Sequence, residues 1–132
     1  MSLDDESRII IVAREIEKAK ETYNQACLMR DNGYWDAAAN RLYYAVFHAT
    51  SALLIKDGKP VKTHHGAGMM FRQLYVKTGI LPEEYSDTFS LLQALREKSD
   101  YNYLFDATKG LINPLFEPTL QLINTISGMV SQ

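Results

Sequence analysis

Arg96, Asp100 and Tyr103 bring a guanidinium, a carboxylate and a phenol to the end of an otherwise apolar segment. At about 100° per residue the three fall on one helical face, while Tyr101 is turned roughly 140° away from Arg96. An arginine fork matches the paired oxygens of a phosphate, and a carboxylate one turn away can orient it. The chemistry open to this set is recognition of a nucleotide or RNA phosphate. The same residues also read as an ion pair with aromatic anchors locking a helix end.

A second polar set lies upstream. Arg41, Tyr44 and His48 stand at i, i+3 and i+7 in a stretch otherwise rich in apolar residues. Left unpaired in a core, such groups cost about 1–3 kcal/mol each, and more for the guanidinium. They form either an internal hydrogen-bond network or a second wall of the site begun by Arg96 and Asp100. Lys62, Thr63, His64, His65 and Gly66 place a cation and two imidazoles at an expected helix start, where free N–H groups attract anions. This reads as a phosphate contact through Lys62 and His64, or as plain capping. A metal site is not expected, because adjacent histidines diverge by about 100° on a helix and no i+4 histidine or paired cysteines complete a zinc set.

The chain has no Gly-x-Ser-x-Gly, phosphate loop or His-Glu-x-x-His, and its single cysteine, Cys27, falls on a core spacing. Any catalysis therefore rests on Arg, His, Tyr and Asp, with no cofactor expected. Cys27 reads as a buried thiol in a reducing compartment. No apolar run approaches the roughly 18–20 residues of a membrane span, so the expected location is the cytoplasm. A formal net charge of −2 supplies no global attraction to nucleic acid, so any RNA contact needs a local basic patch or a dimer that concentrates one.

The positioning elements follow from periodicity. The 132 residues, 46% of them apolar, suit one domain spanning residues 1–132 with enough core to fold alone. Ile9, Val12, Ile16, Ala19, Tyr23 and Ala26 mark a first amphipathic helix over about residues 7–32, stopped by Asn32 and Gly33. Residues 35–56 form a second helix, apolar on most sides and therefore central. Thr63 caps a third helix, ended by Thr78 and Gly79. Pro82, Glu83 and Glu84 open a fourth, which carries Arg96. Residues 106–110 read as a loop, and the last helix starts at Asn113-Pro114 or at Glu117-Pro118. The expected fold is all-α, an up-and-down bundle of about five helices.

The blocks from Ala38 through Arg41, Tyr43, Tyr44 and His48 to Ala49, then Lys62-Thr63-His64-His65-Gly66, then Tyr75-Val76-Lys77-Thr78-Gly79, then Arg96 to Tyr103 together resemble the HEPN domain (higher eukaryotes and prokaryotes nucleotide-binding). The resemblance runs over about residues 9–126. It implies a helical bundle that dimerises and works beside a minimal nucleotidyltransferase, in many cases as toxin and antitoxin. Many members are metal-independent ribonucleases built on an Arg, four to six intervening residues and then a His; in one branch one further residue and a Tyr follow, and that Tyr is nucleotidylated by the partner. Arg96 matches the Arg, and Tyr103 matches the modified Tyr. The His position holds Tyr101, and tyrosine, with an unperturbed pKa near 10, is far worse suited than imidazole to exchanging protons at neutral pH. The reading that follows is a nucleotide- or partner-binding dimeric module. The alternative is a ribonuclease toxin whose histidine comes from elsewhere, with His48 and His64 as the two that the fold would have to bring to Arg96.

Overall fold

The computed structural model describes residues 4–59, 61–102 and 104–131, and within them the chain forms five helical arms and no strand. The first arm, α1 (Asp5–Asp31), starts where the Asp4 carboxylate accepts the Ser7 N–H at 2.7 Å, with Asp5 and Glu6 in its positive first turn. It buries Val12, Ile16, Ala19, Thr22 and Ala26 along one face. Gly33, at φ 77°, reverses the chain within a short connection, since a left-handed residue is needed there and glycine adopts it without a Cβ penalty.

The second arm, α2 (Trp35–Lys56), spans the residues expected of it and is the axis of the molecule. It packs against α1 along its length and touches each later arm. Ala38, Ala45, Ala49 and Ala52 are fully buried, and these small side chains let neighbouring helices approach closely. Tyr43 is fully buried with them.

Thr63 caps α3 (His64–Phe71) by accepting the Gly66 N–H at 2.8 Å. The arm continues through one π turn, Arg72–Val76, and closes at Gly79. Pro82 stands one residue ahead of α4 (Glu83–Tyr101) with extended ψ, which suits a residue lacking an N–H to give the first turn. Phe89, Leu92 and Leu95 turn inward, and Arg96 follows them around the same helix.

The last arm departs from expectation. Lys109 and Gly110, read as loop, already belong to a short helix α5 (Lys109–Ile112), because the Thr108 hydroxyl accepts the Leu111 N–H and caps it. The chain then tightens into a 3-10 turn, Asn113–Leu115, and runs on as α6 (Phe116–Val130). The long helix α6 starts at Phe116, one residue before the expected Glu117-Pro118 start. Pro114 is absorbed by the 3-10 turn, and Pro118 lies in the first turn of α6, where its missing N–H has no intrahelical partner to lose. Cys27, expected to be buried, is a free, half-buried thiol. Among the described residues no helix is long and apolar enough to cross a membrane.

Candidate phosphate site where three helices meet

The α2 residues Tyr43 and Tyr44 form the floor of the site. Their rings meet edge to face with centroids 5.2 Å apart, and Phe89 of α4 backs Tyr43 at 5.9 Å. A fully buried phenol needs a partner for its hydroxyl, and Tyr43 finds it in His64 at the start of α3, Oη to Nδ1 2.9 Å. Burial pushes the Tyr43 phenol up to about 12, so it stays protonated at neutral pH.

His64 is fixed in plane as well as by its nitrogen. Its ring stacks on Phe47 at 4.1 Å and meets Tyr44 edge-on at 5.5 Å. Desolvation lowers its pKa first, and the Arg96 guanidinium and then His48 lower it further. The half-buried imidazole is therefore a free base at neutral pH.

Arg96 arrives from α4. Its guanidinium carbon stands 4.9 Å from the centre of the Tyr43 ring and 5.9 Å from that of Tyr44. Nη1 donates to Asp100 at 3.2 Å, while Nε is buried without a hydrogen-bond partner. Arg96 is largely covered, its side chain 16% exposed, and Asp100 more open at 40%. A cation resting on aromatic faces with one donor unsatisfied is held in place yet retains capacity for an acceptor.

The stripe Arg41, Tyr44, His48 divides. Arg41 lies over Tyr44 at 5.3 Å, so two guanidiniums flank that ring, and it donates to Asn40 at 2.7 and 3.1 Å and to Gln25 at 3.3 Å. His48 turns to α1, where Nδ1 meets the Glu15 carboxylate at 2.7 Å. The Arg41 and Arg96 guanidiniums at this junction are set against the carboxylate of Asp100 and that of Glu97, which lies within electrostatic reach of Tyr43. Lys62 is exposed just ahead of α3. Tyr101 projects into solvent, 79% exposed. Tyr103 lies outside the described residues.

Sequence reasoning placed Tyr43 and Phe47 in the core and gave neither a part in the site. The signal was available for Tyr43, since a phenol on the most buried helix calls for a polar partner. Nothing in the local sequence announced that Phe47 would stack on a residue 17 positions later.

Three comparisons bear on this arrangement. A family model described as HEPN domain matches residues 12–128. A "UPF0332 protein" of Thermotoga maritima is 33% identical over 89 residues, covering 67% of each chain. A protein of Methanocaldococcus jannaschii, named "Putative toxin MJ0605", is 35% identical over 86 residues, covering 65% of this chain and 64% of its own. The chain thus spans about two thirds of the length of these relatives. A crystal structure of ST0689, described as an archaeal HEPN homologue, superposes with a TM-score of 0.63 at 16% identity, covering 90% of this chain and 97% of that one. At that identity the likeness is one of fold.

Proposed function

The chain belongs to the HEPN domain family, and from that premise we propose that it is a cytoplasmic, single-domain, dimeric module that binds the phosphate of a nucleotide or RNA where Arg96, His64 and Tyr44 converge. The observation that carries the reading is the seating of Arg96 and His64 on one Tyr43–Tyr44 floor. Arg96 supplies paired N–H donors, Asp100 orients them, and Arg41 adds a second positive charge across Tyr44. Lys62, exposed two residues before His64, adds a cation for a polynucleotide backbone.

In this reading the module works with a minimal nucleotidyltransferase, and Tyr103 is the residue that partner modifies. The resemblance of the segment from Arg96 to Tyr103 to the modified branch of the family supports both statements. Co-expression with such an enzyme, followed by purification and mass spectrometry of the peptide holding Tyr103, tests them. An unmodified peptide and no co-purification would remove the partner from the reading. Binding of a fluorescent oligoribonucleotide to wild type and to Arg96→Ala tests the phosphate site, and equal affinities would exclude it.

A second reading, a metal-independent ribonuclease toxin, is favoured by one specific observation. A histidine from outside the family motif stands on the same aromatic floor as the motif arginine. The names of two relatives from Methanocaldococcus jannaschii, "Putative toxin MJ0605" and "Putative toxin MJ0142", support it. Growth arrest on expression, lost in Arg96→Ala, is the expected outcome. Unimpaired growth with wild-type protein accumulating to high level would count against it.

A further inference from the structure

The ribonuclease reading lacks a proton-transfer group, because the family's histidine position is Tyr101 and that side chain is 79% exposed. We infer that His64, 32 residues before the motif arginine, is the general base of this site and acts on the 2′-hydroxyl of an RNA strand whose phosphate is held by Arg96. The inference rests on the ribonuclease reading and adds to it the residue that does the chemistry.

Three features single out His64 from the other histidines. It shares Tyr43 and Tyr44 with Arg96, whereas His48 is committed to Glu15 on α1 and His65 is exposed. Its orientation is set twice, by the Nδ1 contact to the Tyr43 hydroxyl and by stacking on Phe47. In the tautomer whose Nδ1–H donates to the Tyr43 hydroxyl oxygen, Nε2 carries the lone pair and is the nitrogen left for a substrate. The charged and titratable groups facing it are Tyr43, Tyr44 and His48 from α2 and Arg96 from α4, and the Arg96 charge favours its unprotonated form.

The step balances without a co-reactant. Nε2 of His64 takes the 2′-hydroxyl proton as the 2′-oxygen bonds to phosphorus. The bond from phosphorus to the 5′-oxygen breaks, its electron pair leaves on that oxygen, and water protonates it. The hydroxide so formed recovers the proton from His64. Arg96 neutralises charge on the non-bridging oxygens as it builds up. The products are a 2′,3′-cyclic phosphate and a 5′-hydroxyl end.

The test uses the purified full chain and a mixed-sequence single-stranded RNA, with wild type, Arg96→Ala, His64→Asn, His64→Gln and Tyr101→Phe assayed across pH. Asn keeps a polar atom near the position of Nδ1, and so a partner for Tyr43, while removing the base. The expected result is cleavage by wild type that leaves cyclic phosphate ends, a fall of about 100-fold or more in Arg96→Ala and both His64 variants, and no more than about a twofold change in Tyr101→Phe. The fall in wild-type rate at acid pH should be absent from the residual activity of His64→Asn. If both His64 variants cleave like wild type while Arg96→Ala is inactive, His64 is not the base and the ribonuclease reading stands without it. If His64→Asn keeps the acid limb at reduced rate, the residue is structural and the inference is overturned. Wild-type protein inert toward RNA overturns both this inference and the ribonuclease reading.

Discussion

Nδ1 of His64 lies 2.9 Å from the hydroxyl of Tyr43, and the same Tyr43 ring carries the Arg96 guanidinium 4.9 Å from its centre. One buried phenol thus couples an imidazole and a guanidinium that are 32 positions apart in the chain. The pair is unlike a salt bridge in one respect: the cation disfavours charge on the imidazole, adding to the larger effect of burial that keeps the histidine neutral.

That coupling predicts a shift readable without any ligand. Replacing Arg96 by Ala removes a positive charge that lowers the His64 pKa, so the imidazole should titrate at higher pH than in wild type. Desolvation is the larger cause and remains, so the value should not return fully to that of a free histidine. Imidazole NMR titration of the two proteins measures this, and coincident curves would show that Arg96 does not sense His64.

The same depressed pKa makes stability depend on pH. Between the folded and unfolded pKa values of His64 the unfolded chain binds more protons, so stability rises with pH across that window. The contribution is complete above the ordinary imidazole pKa and is lost as pH falls from there through the folded value. His64→Gln should flatten this part of the profile, as followed by urea unfolding at a series of pH values. Equal slopes for the two proteins would contradict the assignment.

Gly68 tests the support beneath the floor. A Cβ there would stand 2.9 Å from Cε1 of Phe89, a ring that is 2% exposed and packs against both Tyr43 and Phe71. Ala gains about 1 kcal/mol in helix propensity over Gly, while overpacking a closed core costs about 1–3 kcal/mol. Phe89 has no room to yield, so overpacking wins. Gly68→Ala should lower the urea midpoint without changing the slope, and a raised midpoint would mean that the ring relocates freely.

Much of this architecture was legible because it is local. The bounds of α2 follow from an apolar stretch between Gly33 and Gly58, and the Thr63 cap from a hydroxyl three residues before an N–H it can accept. The last long helix, α6, starts at Phe116, one residue from the Glu117-Pro118 candidate, whereas the short α5 before it, opened by the Thr108 hydroxyl, is too short to carry an apolar period of its own. The π turn at Arg72–Val76 has no pattern of its own in a window that is helical on either side. Arg96 and Asp100 were readable as one turn of helix, and their bond at 3.2 Å is that turn. The approach of His64 to Arg96 was not readable, since it depends on how α3 and α4 cross α2. The stripe Arg41, Tyr44, His48 looked like one unit by spacing, and it divides because Glu15 and Gln25 on α1 offer partners that spacing on α2 cannot reveal.

Salt dependence separates a local phosphate site from general charge attraction. The chain carries a formal net charge of −2, so RNA affinity that arises from the whole surface would be weak and would barely respond to single substitutions. A built site behaves differently: each arginine or lysine that contacts a phosphate of a single strand contributes about 0.7, close to one unit, to the slope of log affinity against log salt. Arg96→Ala should therefore lower affinity for a single-stranded oligoribonucleotide and reduce that slope by about one, with Lys62→Ala reducing the slope similarly at smaller loss of affinity because Lys62 is exposed and flexible. Exposed Lys20, far along α1, serves as control and should leave both quantities unchanged. Fluorescence anisotropy at several salt concentrations reads all three. If Lys20→Ala matches Arg96→Ala, binding is diffuse and the junction of α2, α3 and α4 is not a phosphate site.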